Sequence, residues 1–573
     1  MTRQQARSSS ETKGQAGGAR VTRRRFLAQT ILTAGTAAAG ALLGGARSPS
    51  GALVQAQTTA RPQRGGQIIM GISQEPQNFN PIMPWIETQR GTHMSLFDAP
   101  WRIDPKGKYV ASLAAEIPSL TNGGISAGGT AFTIKLRRDA KWHDGQPLTA
   151  KDVVFTWQTL MNPKVTAYST VGYDQIGSME AADDFTVRFT LKEPYAPIMS
   201  VLADMYIVPE HVLAKSPDIN KDEFNTKKPI GSGAFKFVEW VAGDHITVEA
   251  NRAYHGPGPY VDRLIYKYVP DLTVLFTQFK TGEIDVTGTQ GILVDLYPEA
   301  KALPNTTVFV TPGTQYENVG FNFLNPLFQD RRVRQALYFG MDKKPIIEKI
   351  FHGLVPEAET YIPPQSWAFD PRVKGTHKYN PDQAKELLER AGWKVGPDGI
   401  RVKGGQRLAF ENATTAGNKA REQIQQLLQQ QWRQIGVEMK INNLPAAVIF
   451  GDFYRLSKFQ TVINGIPMGP DPDHTFRLHS KYIPVKGGKG RNAIAYENPE
   501  VDHLLEAGVR EVDQEKRKPI YHKLQQVLAI DLPHLPIYHY VGIAGIKAAI
   551  QGLQPNPNMV DPSWNSNEWW LRR

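Results

Sequence analysis

The chain has 573 residues, of which 41% are hydrophobic, and these values predict a globular protein with more than one compact domain. It contains no cysteine, which excludes disulfides, thiolate catalysis and cysteine-ligated zinc or iron–sulfur sites. The net charge of the whole chain is +11. Beyond residue 56 it is only +4, because that part contains 58 of the 66 basic residues and 54 of the 55 acidic ones. That dispersed balance does not indicate a nucleic-acid partner.

The first 56 residues have the layout of an export signal. Arg23 and Arg24 precede a Phe-Leu pair and resemble a twin-arginine signal, an apolar run follows over 31–45, and Val54-Gln55-Ala56 offers a cleavage site. We expect cleavage to leave a mature protein of about 517 residues outside the cytoplasm. The alternative is an uncleaved membrane anchor, which the short and weakly apolar run disfavours. A lipoprotein anchor is excluded because no cysteine follows the run.

Strand patterns dominate the first half of the mature chain. Residues 68–72 form a short apolar run, whereas 132–137 and 185–191 alternate apolar and polar residues at period two. The segments 234–241 and 245–250 flank a Gly-Asp pair and predict a hairpin.

Helical spacing is clearer beyond residue 330, where strands and helices alternate. This change of pattern at about residue 320 predicts at least two α/β lobes. The predicted elements are a helix over 331–351, a helix capped by Asn380 that ends at Gly392, a helix over 421–435, a strand over 437–441 and a last helix over 515–531.

The adjacent pair His143-Asp144 belongs either to a metal site or to a turn. A metal site needs three or four convergent ligands, and the nearest other histidines, His93 and His211, lie in unrelated contexts. The turn explains the whole stretch: a strand ends, Asp144 and the following glycine turn the chain, and Thr149 with Asp152 caps a helix. We therefore expect a turn.

Ser126 lies in Gly124-Ile125-Ser126-Ala127-Gly128, which matches the nucleophile elbow of serine hydrolases. That motif requires a strand-to-helix turn, whereas here a glycine-rich loop leads into a strand. A hairpin tip is the preferred interpretation, and an exported serine-type hydrolase stays the alternative. Gly231-Ser232-Gly233 is too short for a phosphate loop and indicates close backbone packing. The sequence predicts no catalytic set and no cofactor.

Eight stretches occur in the order typical of one family. They are Phe79-Asn80-Pro81, 133–155, 229–236, 330–337, 380–393, 430–437, Asp471-Pro472-Asp473 and 535–538. Together they resemble bacterial extracellular solute-binding proteins of family 5, which supply oligopeptides and dipeptides to ATP-driven importers. The resemblance covers nearly the whole mature chain.

The resemblance implies an α/β, two-lobed periplasmic-binding-protein fold of class II and cluster C type, with an additional domain inserted in the first lobe. The implied boundaries are the signal at 1–56, the first lobe at 57–108, 229–317 and 535–573, the inserted domain at 109–228, and the second lobe at 318–534.

The implied function is that of a monomeric periplasmic binding protein rather than an enzyme. It would deliver a peptide or another small solute to the permease of an ABC-type importer by hinge closure of the two lobes. A chaperone-like binder of unfolded polypeptide is a further alternative.

Family position also suggests the residues that face the ligand. Trp85, Glu87 and Thr88 would line the first lobe, and Thr414 and Thr415 the second.

Met468 is a departure from the family pattern. Peptide-binding members place an aspartate there that pairs with the α-ammonium of the ligand, and losing one partner of such a buried pair costs ~2–5 kcal/mol. Met468 therefore disfavours a free-amine di- or tripeptide and suits an irregular apolar surface. An oligosaccharide, an opine or a metal complex is the alternative ligand class, although Asp471 or Glu87 could still hold an amine.

Overall fold

A ten-stranded sheet runs through the middle of the molecule, with four small sheets around it. The computed structural model describes residues 61–289, 291–559 and 561–572, so the predicted signal with Arg23 and Arg24 lies outside the described residues. The strands are β1 (Gln67–Ile72), β2 (Trp101–Ile103), β3 (Tyr109–Ala111), β4 (Ala131–Lys135), β5 (Ile176–Asp183), β6 (Thr186–Leu191), β7 (Phe235–Val241), β8 (His245–Ala250), β9 (Arg263–Tyr268), β10 (Val286–Thr287), β11 (Thr306–Phe321), β12 (Lys394–Val395), β13 (Arg401–Lys403), β14 (Gln406–Arg407), β15 (Ala409–Thr415), β16 (Glu438–Leu444), β17 (Thr461–Ile466), β18 (His534–Lys547), β19 (Ile550–Gln551) and β20 (Trp570–Leu571).

Helices connect the strands and cover the sheet. They are α1 (Arg90–Leu96), α2 (Ala150–Met161), α3 (Ile198–Ala203), α4 (Glu210–Leu213), α5 (Leu272–Thr281), α6 (Tyr297–Ala302), α7 (Arg331–Phe339), α8 (Pro381–Arg390), α9 (Lys419–Gln434), α10 (Ala446–Val448), α11 (Thr475–Leu478), α12 (Pro499–Arg510) and α13 (Gln514–Asp531). No helix among the described residues is long and apolar enough to cross a bilayer.

The order of the strands divides the central sheet into two halves. It runs β16-β15-β17-β11-β18-β10-β1-β9-β8-β7. On one side β15 pairs in parallel with β16 and β17, and on the other β1 pairs in parallel with β9 and β10. The long antiparallel strands β11 and β18 lie between them and belong to both halves. The predicted two-lobed α/β fold is therefore confirmed.

Separate hydrophobic cores support the two halves. One contains Phe79, Trp101 and Phe235 and also takes in residues of the predicted insertion such as Ile134 and Phe189. Other clusters of buried apolar side chains form the core of the second half, and one of them lies around α9 and β15. Each half of the central sheet thus has its own apolar core, with the long strands β11 and β18 as the shared element.

The predicted helix over 331–351 is wrong in length. Helix α7 ends at Phe339, and a separate five-residue π-helical turn covers Ile346–Ile350. Gly340 lowers helix propensity at the break, and Pro345 lacks the N–H that a continuous helix needs there. The hairpin of β7 and β8, the cap of α8 by Asn380 and the last helix are confirmed.

The turn at His143 is confirmed. The Gly231 amide donates to His143 Nδ1 at 3.1 Å, and His143 Nε2 donates to the Gly233 carbonyl at 3.1 Å. Burial lowers the pKa of His143 to about 4, so the ring is neutral and suited to this bridge. Thr149 and Asp152 form the predicted capping box. A methyl group on Gly231 would lie 1.7 Å from the Leu96 carbonyl oxygen, which confirms close backbone packing.

Ser126 lies at the predicted hairpin tip. Its amide donates to the Ala131 carbonyl at 2.8 Å, and the Ala131 amide donates back to Ser126 Oγ at 3.0 Å. The serine hydroxyl is thus part of a turn that leads into β4, which is a different setting from a strand-to-helix elbow.

Candidate functional site

The two long strands are interrupted where the halves of the sheet meet. Pro312 lies opposite Val541 and Tyr316 opposite His539, so Gly313, Thr314 and Gln315 together face only Tyr540. Pro312 has no N–H to donate, and a bulge of this kind bends the chain and frees polar groups, often beside a functional site. We call residues 313–315 the hinge bulge.

Loops of the second half hold the hinge bulge on both sides. Gln365 Nε2 donates to the Gly313 carbonyl at 2.9 Å, and Thr314 Oγ1 donates to the Met468 carbonyl at 2.6 Å. Met468 meets the hinge through its backbone, because its side chain is buried in a cluster with Tyr316 and Ile466.

A buried ion pair lies next to the hinge bulge. Arg421 Nε is 3.1 Å from Glu317 Oε2, and this oxygen also accepts hydrogen bonds from the hydroxyls of Tyr540 at 2.5 Å and Tyr538 at 3.4 Å. Burial raises the pKa of the Glu317 carboxyl, and the Arg421 charge opposes that rise. The other nitrogens of Arg421 donate to Thr415 Oγ1 and to the Tyr540 hydroxyl.

A second ion pair lies after the end of β17. Arg517 holds both carboxylate oxygens of Asp471, at 2.8 and 3.0 Å, with side-chain exposures of 6% and 10%. Arg517 also donates to the Gly508 carbonyl and the Tyr521 hydroxyl, and its guanidinium lies 5.5 Å from the Trp367 ring. Each of the three guanidinium nitrogens of Arg517 and both carboxylate oxygens of Asp471 therefore take part in at least one hydrogen bond.

The predicted insertion reaches the same region from the other side. Burial raises the pKa of Tyr109, and the negative charge of Asp471 raises it further. Burial likewise raises the pKa of Tyr195, with Asp473 and Asp471 adding to the shift. The Ala196 amide donates to the Val509 carbonyl at 2.7 Å, so residues 109–228 contact the second half directly.

The predicted first-lobe residues form a separate cluster. Trp85 stacks against the guanidinium of Arg90, which lies 4.7 Å from its ring centre. Glu87 accepts from Arg90 Nε at 2.6 Å, and Arg90 also pairs with Asp204 at 2.5 Å. Thr88 is buried and donates to the Gln74 carbonyl at 3.3 Å.

The predicted second-lobe residues lie nearer the hinge bulge. Thr415 accepts from Arg421 beside Glu317, whereas Thr414 is buried and donates to the Ile463 carbonyl at 2.9 Å. The structure brings Thr415, Met468 and Asp471 to the hinge side of the second half. A role for any of the seven predicted residues in ligand binding stays a prediction.

Sequence reasoning missed most of the polar groups at the hinge. They are Gln315, Glu317, Gln365, Trp367, Arg421, Arg517 and Tyr540. One signal was available: Pro312-Gly313 interrupts a run that otherwise alternates like a strand, and such an interruption indicates a bulge.

Two cavities flank the long strands, one on each side of the hinge bulge. Tyr316, Tyr361 and His534 line a cavity with about 370 Å³ of empty space, partly open to solvent. Phe309 and Thr311 line one of about 400 Å³ on the other side. The hinge bulge thus lies between two recesses in the protein surface.

The sequence profile of the bacterial extracellular solute-binding proteins, family 5 Middle, matches residues 108–482. The chain belongs to this family. Its members are binding proteins rather than enzymes.

Relatives of this family-5 protein have different ligands. The oligopeptide-binding protein AppA of Bacillus subtilis (strain 168) is 30% identical over 526 residues, which is 90% of this chain and 94% of AppA. The structure of AppA with a nonapeptide has a TM-score of 0.71 and covers 90% of this chain and 100% of that one. NikZ from Campylobacter jejuni, solved with Ni(L-His), is 28% identical with a TM-score of 0.72, covering 88% of this chain and 99% of its own.

Proposed function

We propose that this family-5 protein is an exported binding subunit that captures a peptide or a related small solute and delivers it to the permease of an ABC-type importer. The hinge bulge carries the proposal. Long strands that pass through both halves of a sheet allow those halves to rotate, and the bulge localises the bending. The ligand would lie against the bulge, between the first half, the insertion and the second half.

The insertion is part of the proposed enclosure. We place its boundaries at 109–228, the second lobe at 318–534, and the protein in the periplasm as a monomer. The Ala196–Val509 hydrogen bond and the side chains of Tyr109 and Tyr195 support a cleft that residues of the insertion help to close. Closing expels water and strengthens each polar contact inside.

Aromatic side chains supply part of the affinity of such a cleft. Trp367 and Tyr109 are half-buried beside the Asp471–Arg517 pair. Because protein already covers part of each ring, a ligand can bury only the exposed remainder, which is less than the ~150–250 Å² of a whole aromatic side chain. Micromolar binding needs about 8 kcal/mol net, so hydrogen bonds and the apolar surface of the ligand itself must add to the contribution of these rings.

Mass spectrometry of the copurified solute tests the proposal. We expect the natively purified mature protein to release about one equivalent of a peptide or other small solute on denaturation. Trp367→Ala should release much less, whereas Tyr379→Ala, which alters an exposed ring, should release as much as the unaltered chain. Absence of any released solute, together with no binding of added peptides or opines, would refute the proposed function.

A further inference from the structure

The charged groups beside the hinge bulge are engaged with one another. All three guanidinium nitrogens of Arg421 donate hydrogen bonds, to Glu317, Thr415 and Tyr540. All three of Arg517 donate as well, to Asp471, Gly508 and Tyr521. Glu317 Oε1 accepts no hydrogen bond from the described residues, but the Glu317 side chain is fully buried and is paired with Arg421 through Oε2. A ligand charge would therefore compete with an existing ion pair at either site.

Two other carboxylates near the cleft, Asp473 and Glu87, already have partners within the protein. Asp473 accepts hydrogen bonds from the amide and hydroxyl of Thr475, and burial raises the pKa of its carboxyl. Glu87 is bound to Arg90. An ammonium group that enters a buried site loses its hydration shell, and without a counter-charge no interaction in the site offsets that free-energy cost.

Gln315 is the exception among these polar side chains. It lies in the hinge bulge, is half-buried, and its amide makes no hydrogen bond to any residue in the described part of the chain. A methyl group on Gly465 would lie 2.2 Å from Gln315 Nε2, 2.9 Å from the Tyr540 hydroxyl and 3.1 Å from Arg421 Nη2. The absence of a side chain at Gly465 therefore leaves room for this amide beside two groups that are already paired.

We propose that Gln315 is a specificity-determining residue, and that it binds an uncharged amide group of a peptide-like ligand rather than a charged end. A primary amide offers one donor face and one acceptor, the same pair that a peptide group presents, so the two can bond in both directions. The inference rests on the proposed function. It predicts that blocked peptides, or internal segments of longer ones, bind as well as free peptides.

The test is a competition between peptides with free and with blocked ends. The protein is first stripped of copurified solute by denaturation and refolding. It is then incubated with an equimolar mixture of two random nonapeptide libraries, one with free ends and one acetylated and amidated, and the retained peptides are quantified by mass spectrometry. We expect the blocked library to be retained at least as well as the free one.

Two substitutions at one position assign the effect to Gln315. Gln315→Met keeps the length of the side chain but removes both hydrogen-bonding groups, and it should weaken retention of blocked peptides about 5- to 50-fold. Gln315→Glu keeps the shape and introduces a carboxylate, so it should shift retention toward free-amine peptides at least about 10-fold. Gln406→Met and Gln406→Glu, at an exposed position, should change neither value.

Three outcomes of this competition would overturn the inference or the proposed function. Preferential retention of free-amine peptides by the unaltered protein, by about 30-fold or more, would overturn the inference and leave peptide delivery intact. An unchanged retention pattern in both Gln315 variants, with thermal unfolding like that of the parent, would overturn the role of Gln315. Retention of neither library would refute a peptide ligand in the proposed function, and the inference would fall with it.

Discussion

The Asp471–Arg517 pair offers a direct measurement of how this region is stabilised. Both side chains are at least 90% buried, so solvent screens their interaction weakly. Replacing Arg517 by Met keeps most of the apolar volume but removes the counter-charge of the Asp471 carboxylate, which keeps only the Asp473 amide as a donor. The Gly508 carbonyl and the Tyr521 hydroxyl lose the hydrogen bonds that Arg517 donates to them. Breaking one side of a buried pair costs about 3–5 kcal/mol, and we expect a loss of that size in the free energy of unfolding.

The double variant Asp471→Leu with Arg517→Met separates the cost of an orphaned charge from the value of the pair. With both charges gone, no carboxylate is buried unpaired, and the protein should be more stable than the Arg517→Met variant by about 2 kcal/mol or more. Guanidinium unfolding followed by tryptophan fluorescence measures both values. Arg455→Met breaks the exposed Asp452–Arg455 pair and should cost less than about 0.5 kcal/mol.

Two results would refute this reasoning. A loss below about 1 kcal/mol in Arg517→Met would mean that water reaches Asp471 and screens its charge. A double variant as unstable as the sum of the single variants would mean that packing, rather than charge, sets the cost.

Other consequences of the structure can be tested in the same way. Desolvation lowers the pKa values of five histidines to about 3–4, against 6.5 when unfolded. His93, His534 and His539 are buried, and His143 and His377 are half-buried. Below pH 6.5 these histidines bind protons in the unfolded chain but not in the folded one. The free energy of unfolding should therefore fall steadily from pH 6.5 toward pH 4, by up to ~1.4 kcal/mol per pH unit for each histidine. A melting temperature that stays constant from pH 7 to pH 5 would contradict this. Ser126→Ala should leave ligand affinity within about twofold, since its hydroxyl only closes a turn, and loss of any peptide-cleaving activity in this variant would revive the hydrolase alternative. Gly231→Ala should destabilise the protein by several kcal/mol, whereas Gly128→Ala, whose added methyl would meet no atom nearer than 3.9 Å, should change stability by less than about 1 kcal/mol, as thermal unfolding would show. The chain has no native cysteine, so spin labels can be placed on a Glu193→Cys, Arg510→Cys variant. These two residues form a 3.4 Å ion pair, and the distance between the labels would report closure at that contact. Ligand should narrow the distribution of label distances, and an identical distribution with and without ligand would refute hinge closure there.

Local chemistry determined much of the fold that the sequence predicted. The cap at Asn380, the capping box of Thr149 and Asp152, and the hairpin of β7 and β8 depend on residues close in the chain, so short-range patterns suffice. The break after Phe339 was missed because apolar residues continued at helical spacing beyond Gly340 and Pro345.

The candidate site could not be predicted in the same way, because its partners are far apart in the sequence. Glu317 and Arg421 are 104 residues apart, and Asp471 and Arg517 are 46 apart. In the sequence each is one of many dispersed charges. Only the tertiary fold decides which carboxylate meets which guanidinium: Glu317 on β11 meets a residue of α9, and Asp471 after β17 meets a residue of α13. Family position indicates Asp471 as a ligand-facing residue but not that Arg517 occupies both of its oxygens.

The pairing of these charges changes how the cleft should be interpreted. An isolated Asp471 would be a natural partner for a ligand ammonium, but a carboxylate held at 2.8 and 3.0 Å by one guanidinium is not available without breaking that pair. Glu317 pairs with Arg421 through Oε2 only, but its side chain is fully buried, so a ligand ammonium would have to displace the residues around it to reach Oε1. What remains at the hinge bulge is an uncharged amide, Gln315. Recognition in this protein would then depend on hydrogen bonds to neutral groups and on aromatic contact, both of which depend weakly on salt. Ligand affinity should accordingly stay within about threefold between 50 mM and 1 M NaCl, and a loss of tenfold or more would show that a free charge does take part in binding.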